Sequence, residues 1–141
     1  MTAQDTTTAR SGTGTRTAVT TPAQARDTVR RLLAGAPRPR GPGRDAETVL
    51  ADALLVTSEL VTNAIRHGGG LVRFTAAVSA GTLHIAVTDR TSAPPLPAPP
   101  PRPRTLRTGG YGWPLVLRLS TGVAITPAPG GKTIRARVPL H

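Results

Sequence analysis

Glu59 and Asn63 stand four positions apart in the run Ser58-Glu59-Leu60-Val61-Thr62-Asn63-Ala64-Ile65-Arg66-His67. In a helix that spacing stacks a carboxylate and a carboxamide one turn apart on one face. A carboxylate placed there can accept a proton or hold a nucleophile in line. Asp52 and Arg66 continue the same polar stripe. A solvated helix edge with an i,i+4 polar contact would give the same pattern. The apolar residues around the stripe favour the chemical reading, because a buried charge without a partner is costly.

Three later stretches carry further candidates. Asp89 ends the run Leu83–Thr88, as a carboxylate that accepts a hydrogen bond or simply terminates a strand. Gly109, Gly110 and Gly112 precede Pro114, so backbone amides and a helix N-terminus can approach an anion there. Arg102, Arg104 and Arg107 lie just before those glycines. Arg107 is the nearest and could reach a terminal phosphate, although each arginine could equally solvate its loop. Gly130-Gly131-Lys132-Thr133 suits a hairpin turn and lacks the Gly-x-x-x-x-Gly-Lys spacing of a Walker A loop.

The elements that must position these groups follow from periodicity. A helix is expected from about Asp45 to His67, capped by Asp45, with Glu47 in the first turn and Gly68 to Gly70 as its stop. Val49, Ala53, Val56, Leu60 and Ala64 form one apolar row, and Leu50, Leu54, Val61 and Ile65 another, so burial on most sides is expected. Upstream, Arg16–Thr20 reads as a short strand. Thr21 then caps a helix over Pro22–Ala34 with Ala25, Val29, Leu32 and Leu33 inward and Arg26, Arg30 and Arg31 outward. Residues 71–78 and 83–88 alternate as a hairpin around Gly81. A short helix over 114–120 and a second hairpin, 123–126 with 133–138, close the chain; Ile134, Ala136 and Val138 face inward. Thr91 to Thr108 contains seven prolines, which exclude a helix or an inner strand. A loop this long is a lid, a binding loop or a linker, and its PxxP spacing also permits a polyproline ligand. The pattern is α+β: a two-layer sandwich with a mixed or antiparallel sheet covered on one face by helices.

At 141 residues the chain is one domain. Residues 1–14, Thr-, Ser- and Gly-rich, are expected to be a disordered tail, and 15–141 the folded domain. The absence of cysteine excludes disulfides and thiolate metal sites, and three scattered histidines do not make a zinc site. No apolar run approaches a membrane span and the N-terminus lacks a secretory core segment, so a cytoplasmic protein is expected. The net charge of +11 comes from seventeen arginines and one lysine against seven acids. Those arginines are dispersed, without a basic helix or an aromatic platform, so nucleic-acid binding is the secondary reading.

SELVTNAIRH resembles the N-box of the GHKL superfamily of ATPases, whose ATP-binding domain has the Bergerat fold. Val87-Thr88-Asp89 resembles the start of its G1 box, with Thr91 where the family usually has glycine. Gly109-Gly110-Tyr111-Gly112-Trp113-Pro114-Leu115-Val116 resembles its G2 box, and Gly130-Gly131-Lys132-Thr133 its last motif. The resemblance spans about residues 20 to 139 and implies ATP and Mg²⁺ as ligands. It implies Glu59 as general base or water positioner, Asn63 as the Mg²⁺ ligand and Asp89 as acceptor from the adenine amino group. It further implies nucleotide contacts from Arg66, Gly110, Gly112, Trp113, Leu115 and Thr133, and residues 91–108, including Arg107, as the ATP lid. The chain looks most like the stand-alone anti-sigma-factor serine kinases, which implies a sigma factor and/or antagonist protein as partner; the sequence leaves a homodimer open. A non-catalytic ATP-binding interaction module and an arginine-rich nucleic-acid-binding protein are the alternatives.

Overall fold

The computed structural model describes residues 18–37, 43–94 and 112–141. Its first helix, α1 (Pro22–Ala34), begins where Thr21 accepts a hydrogen bond from the Gln24 N–H at 3.1 Å, with Pro22 in the first turn. Gln24 reaches back and accepts from the Thr20 N–H at 2.7 Å and from its hydroxyl at 3.0 Å. That reciprocal arrangement explains why Ala18–Thr20 form no strand, contrary to expectation: the Thr20 N–H is spent on the helix cap and not on a ladder. Ala25 and Val29 are fully buried. Arg26, expected to face outward, instead crosses to the next helix and donates to Ser58 Oγ at 3.0 Å.

The long helix α2 (Ala46–His67) starts at Asp45, which accepts from the Thr48 N–H at 2.7 Å. Val49, Ala53, Val56, Leu60 and Ala64 are all buried, and Thr57 joins them by donating its hydroxyl to Ala53 O at 2.7 Å. The second apolar row is only partly covered. Val61 is buried, Leu50 and Leu54 are half-buried, and Ile65 is 42% exposed. Burial on most sides is therefore not reached, because α2 rests on the sheet with one face and has helices only at its flanks. By length and composition alone α2 could cross a membrane; in this fold its apolar row forms the centre of the buried core.

Four strands, β1 (Leu71–Ser79), β2 (Thr82–Asp89), β3 (Gly122–Ala128) and β4 (Gly131–Pro139), form one antiparallel sheet in the order β1-β2-β4-β3. Between β2 and β3 lies the helix α3 (Gly112–Leu119). Leu83, Ile85 and Val87 of β2 and Ile134, Ala136 and Val138 of β4 are buried beneath the helices. This is the expected two-layer α+β sandwich. The other face of the sheet is open: Ala77, Ala86 and Ala124 floor a shallow concavity beside His84, Arg135 and Arg137. Pro127 is tolerated because β3 is an edge strand.

The β1–β2 turn places two residues at positive φ, Ala80 at 52° and Gly81 at 73°. A two-residue hairpin turn of this hand favours Asn-Gly, and a left-handed alanine pays about 1 kcal/mol. Ala80→Asn is expected to raise the unfolding free energy by roughly 0.5–1 kcal/mol, read from urea denaturation. A loss of stability would contradict this turn.

Candidate functional site

Asp89 is the last residue of β2, and the strand alternation that buries Leu83, Ile85 and Val87 carries its carboxylate to the helix-covered side, 1% exposed. The register opposes it to Lys132, the second residue of β4. Their side chains form an ion pair at 2.8 Å with Lys132 only 3% exposed. Oδ1 accepts from the Thr91 N–H at 3.0 Å, and the Lys132 ammonium donates to Thr91 O at 3.3 Å. The C-terminal end of α2 closes over this cluster. A side chain at Gly68 would place its Cβ 2.5 Å from Asp89 Oδ2, so only glycine permits the approach. Arg90 N–H donates to Gly68 O at 2.8 Å, fixing the end of the helix against the end of the strand.

Further up α2 lies the second half of the site. Glu59 faces the first residue of α3: a Cβ on Gly112 would collide with Glu59 Oε1. Asn63 follows one turn nearer Gly68, and both are half-buried. The neighbouring polar groups are otherwise engaged. Ser58 accepts from Arg26, and Asp52 pairs with Arg44 and so leaves the stripe. Glu59 and Asn63 are left without a side-chain hydrogen bond to another described residue. From Glu59 to Gly68 the helix runs about 13 Å, so the site is elongated. One end holds a carboxylate and a helix N-terminus, and the other a buried ion pair.

A family model described as the histidine kinase-like ATPase domain matches residues 18–138. The chain belongs to this family. Two of the solved structures that align with it are from Erythrobacter litoralis. The histidine kinase domain from the Erythrobacter litoralis EL346 blue-light activated histidine kinase is 23% identical, with a TM-score of 0.46 over 65% of this chain and 45% of that chain. The Erythrobacter litoralis EL346 blue-light activated histidine kinase itself is 19% identical, with a TM-score of 0.48 over 84% of this chain and 40% of that one. The chain thus spans less than half the length of either. No curated protein matches it.

Within this histidine kinase-like ATPase domain the expected site residues fall into three groups. Glu59, Asn63 and Gly112 come together along α2 and the start of α3, and Arg66 lies exposed on the same helix near Glu59. Trp113 and Leu115 are half-buried in α3, Trp113 against the core. Thr133 does not meet Asp89. Its hydroxyl lies 2.7 Å from that of Thr88, its register partner on the adjoining strand, one residue out of phase with the Asp89–Lys132 pair. Arg107 and Gly110 lie outside the described residues, as do most of 91–108. Lys132 and Gly68 were not singled out from the sequence. The signal for Lys132 was present, since the alternation of Ile134, Ala136 and Val138 continues back to 132 and not to 133. No cluster of three His, Cys, Asp or Glu occurs among the described residues.

Burial pushes the Glu59 carboxyl above the ordinary glutamate range, opposed in part by the positive charge of Arg66. The folded state then holds its proton more tightly than the unfolded one, so ionisation costs stability as pH rises above the unfolded value. Glu59→Gln removes that cost. The variant is expected to melt higher than wild type at neutral pH, with the difference vanishing as pH falls below the ordinary glutamate range. A lower melting temperature at neutral pH would mean that Glu59 stabilises the fold.

Proposed function

We infer that this domain binds ATP with Mg²⁺ and acts as a regulatory protein kinase, passing the terminal phosphoryl group to a serine or threonine of a partner protein. The observation that carries the reading is the Glu59–Asn63 pair: two half-buried polar side chains one turn apart, facing the N-terminus of α3, while the neighbours on α2 are engaged elsewhere. Asn63 Oδ1 fits a hard cation that brings most of its ligands as phosphates and water. The bound Mg²⁺ would neutralise charge on the phosphates. The amides at the start of α3 favour an anion, and the buried carboxylate of Asp89 suits the amino group of adenine.

Transfer follows from the same geometry. Glu59 accepts the proton of the incoming hydroxyl, whose oxygen forms the new bond to the γ-phosphorus as the bond to the β–γ bridging oxygen breaks, releasing ADP. A carboxyl raised by desolvation is a better base than an exposed one. The resemblance to anti-sigma-factor kinases supports a sigma factor or its antagonist as the partner class, in the cytoplasm.

Calorimetry and a transfer assay on two variants test this reading. Asn63→Ala is expected to weaken Mg²⁺-dependent ATP binding by more than about tenfold. Glu59→Ala is expected to retain ATP binding and lose phosphoryl transfer to the partner serine. Unchanged ATP affinity in Asn63→Ala would overturn the metal assignment. Binding without transfer by the wild-type protein to its partner would leave a non-catalytic ATP-binding module.

A further inference from the structure

Lys132 is the one lysine in a chain with seventeen arginines, and it is buried at the end of the site where a nucleotide base would lie. Its ammonium has three N–H donors. One is spent on Asp89 Oδ2 at 2.8 Å and a second on Thr91 O at the longer distance of 3.3 Å. The third has no acceptor among the described residues, and the Thr91 contact is the longer of the two made. Asp89 is likewise not exhausted: each carboxylate oxygen can accept two hydrogen bonds, and each accepts one from this cluster.

We propose that Lys132 is a base-reading residue, forming with Asp89 an adjacent donor and acceptor that match the Watson–Crick edge of adenine. The inference rests on the ATP-binding reading above. Adenine presents an amino donor beside the ring acceptor N1. An amino group bonded to Asp89 Oδ2 brings N1 alongside a group only 2.8 Å from that oxygen, the Lys132 ammonium. Asp89 takes the amino hydrogen and Lys132 donates to N1. An ammonium suits this position better than a guanidinium, because it is a compact group with freely rotating donors, whereas arginine offers a rigid planar fork. Gly68 lets the end of α2 close onto Asp89 and Gly131 lets β4 approach the Asp89 carbonyl, so the pair is held in a fixed place between two backbone surfaces.

The alternative is a purely structural staple joining β2 to β4. Such a staple would affect all nucleotides alike, which gives the test. Dissociation constants are measured by calorimetry for ATP and for 1-deaza-ATP, in which N1 is replaced by C–H, with wild type and Lys132→Met. Wild type is expected to prefer ATP by about tenfold or more, the worth of one hydrogen bond to a charged donor. In Lys132→Met the preference should fall to near unity. If that variant does not fold, Lys132→Gln, which keeps a neutral N–H donor group in place of the ammonium, is expected to show an intermediate preference. Equal affinity of wild type for the two nucleotides leaves ATP binding intact and overturns the role of Lys132, as does a preference undiminished from wild type in either variant. Binding of neither nucleotide by wild type removes both the ATP-binding reading and this inference.

Discussion

A carboxylate that is almost wholly buried needs a cation beside it, and Asp89 has Lys132. Breaking such a pair from one side leaves an uncompensated buried charge, at a cost of about 3–5 kcal/mol. Much of this end of the molecule depends on that contact. It ties the last residue of β2 to the start of β4, and Thr91 is drawn in through both its N–H and its carbonyl. The end of α2 can close over the pair only because residue 68 has no side chain. The ion pair therefore sets how the long helix meets the sheet, and with it the position of the polar residues further up that helix.

At the opposite end of the site the physics is reversed. Glu59 is desolvated and has no salt bridge to another described residue, and Arg66 offsets the desolvation only in part. A fold selected for stability alone would place an apolar residue or a paired charge there. Keeping a partly buried carboxylate beside a carboxamide and a helix N-terminus is the pattern of a site held ready for a ligand at some expense in stability. The two ends share one rigid element, α2, whose apolar row of Val49, Ala53, Val56, Leu60 and Ala64 anchors it on the sheet.

What was legible in the sequence was what local periodicity encodes. The bounds of α1 and α2, both hairpins and the inward residues of β2 and β4 follow from spacing, caps and turns. The strand expected at Arg16–Thr20 failed in its described residues because a β-branched run says nothing about competing bonds, and Thr20 is used by Gln24. The partner of Asp89 was obscured for a different reason. Gly130-Gly131-Lys132-Thr133 satisfies a turn whatever its register, and the family resemblance pointed to Thr133. The alternation of β4 points Lys132 inward, but it is the pairing of β2 with β4 that sets it opposite Asp89. Likewise, Gly68 reads as a helix stop, and its close approach to Asp89 appears only when strand and helix are brought together.

The central claim is that a nucleotide lies along α2 between the start of α3 and the Asp89–Lys132 pair. Amide chemical-shift mapping of the full chain by NMR, with and without Mg-ATP, tests it most directly. The account predicts perturbations concentrated at Glu59, Asn63, Gly68, Asp89, Thr91, Gly112 and Lys132, with Thr75, Ala77, His84 and Arg137 on the open face of the sheet unchanged. Perturbations confined to that open face, or none at saturating Mg-ATP, would contradict it.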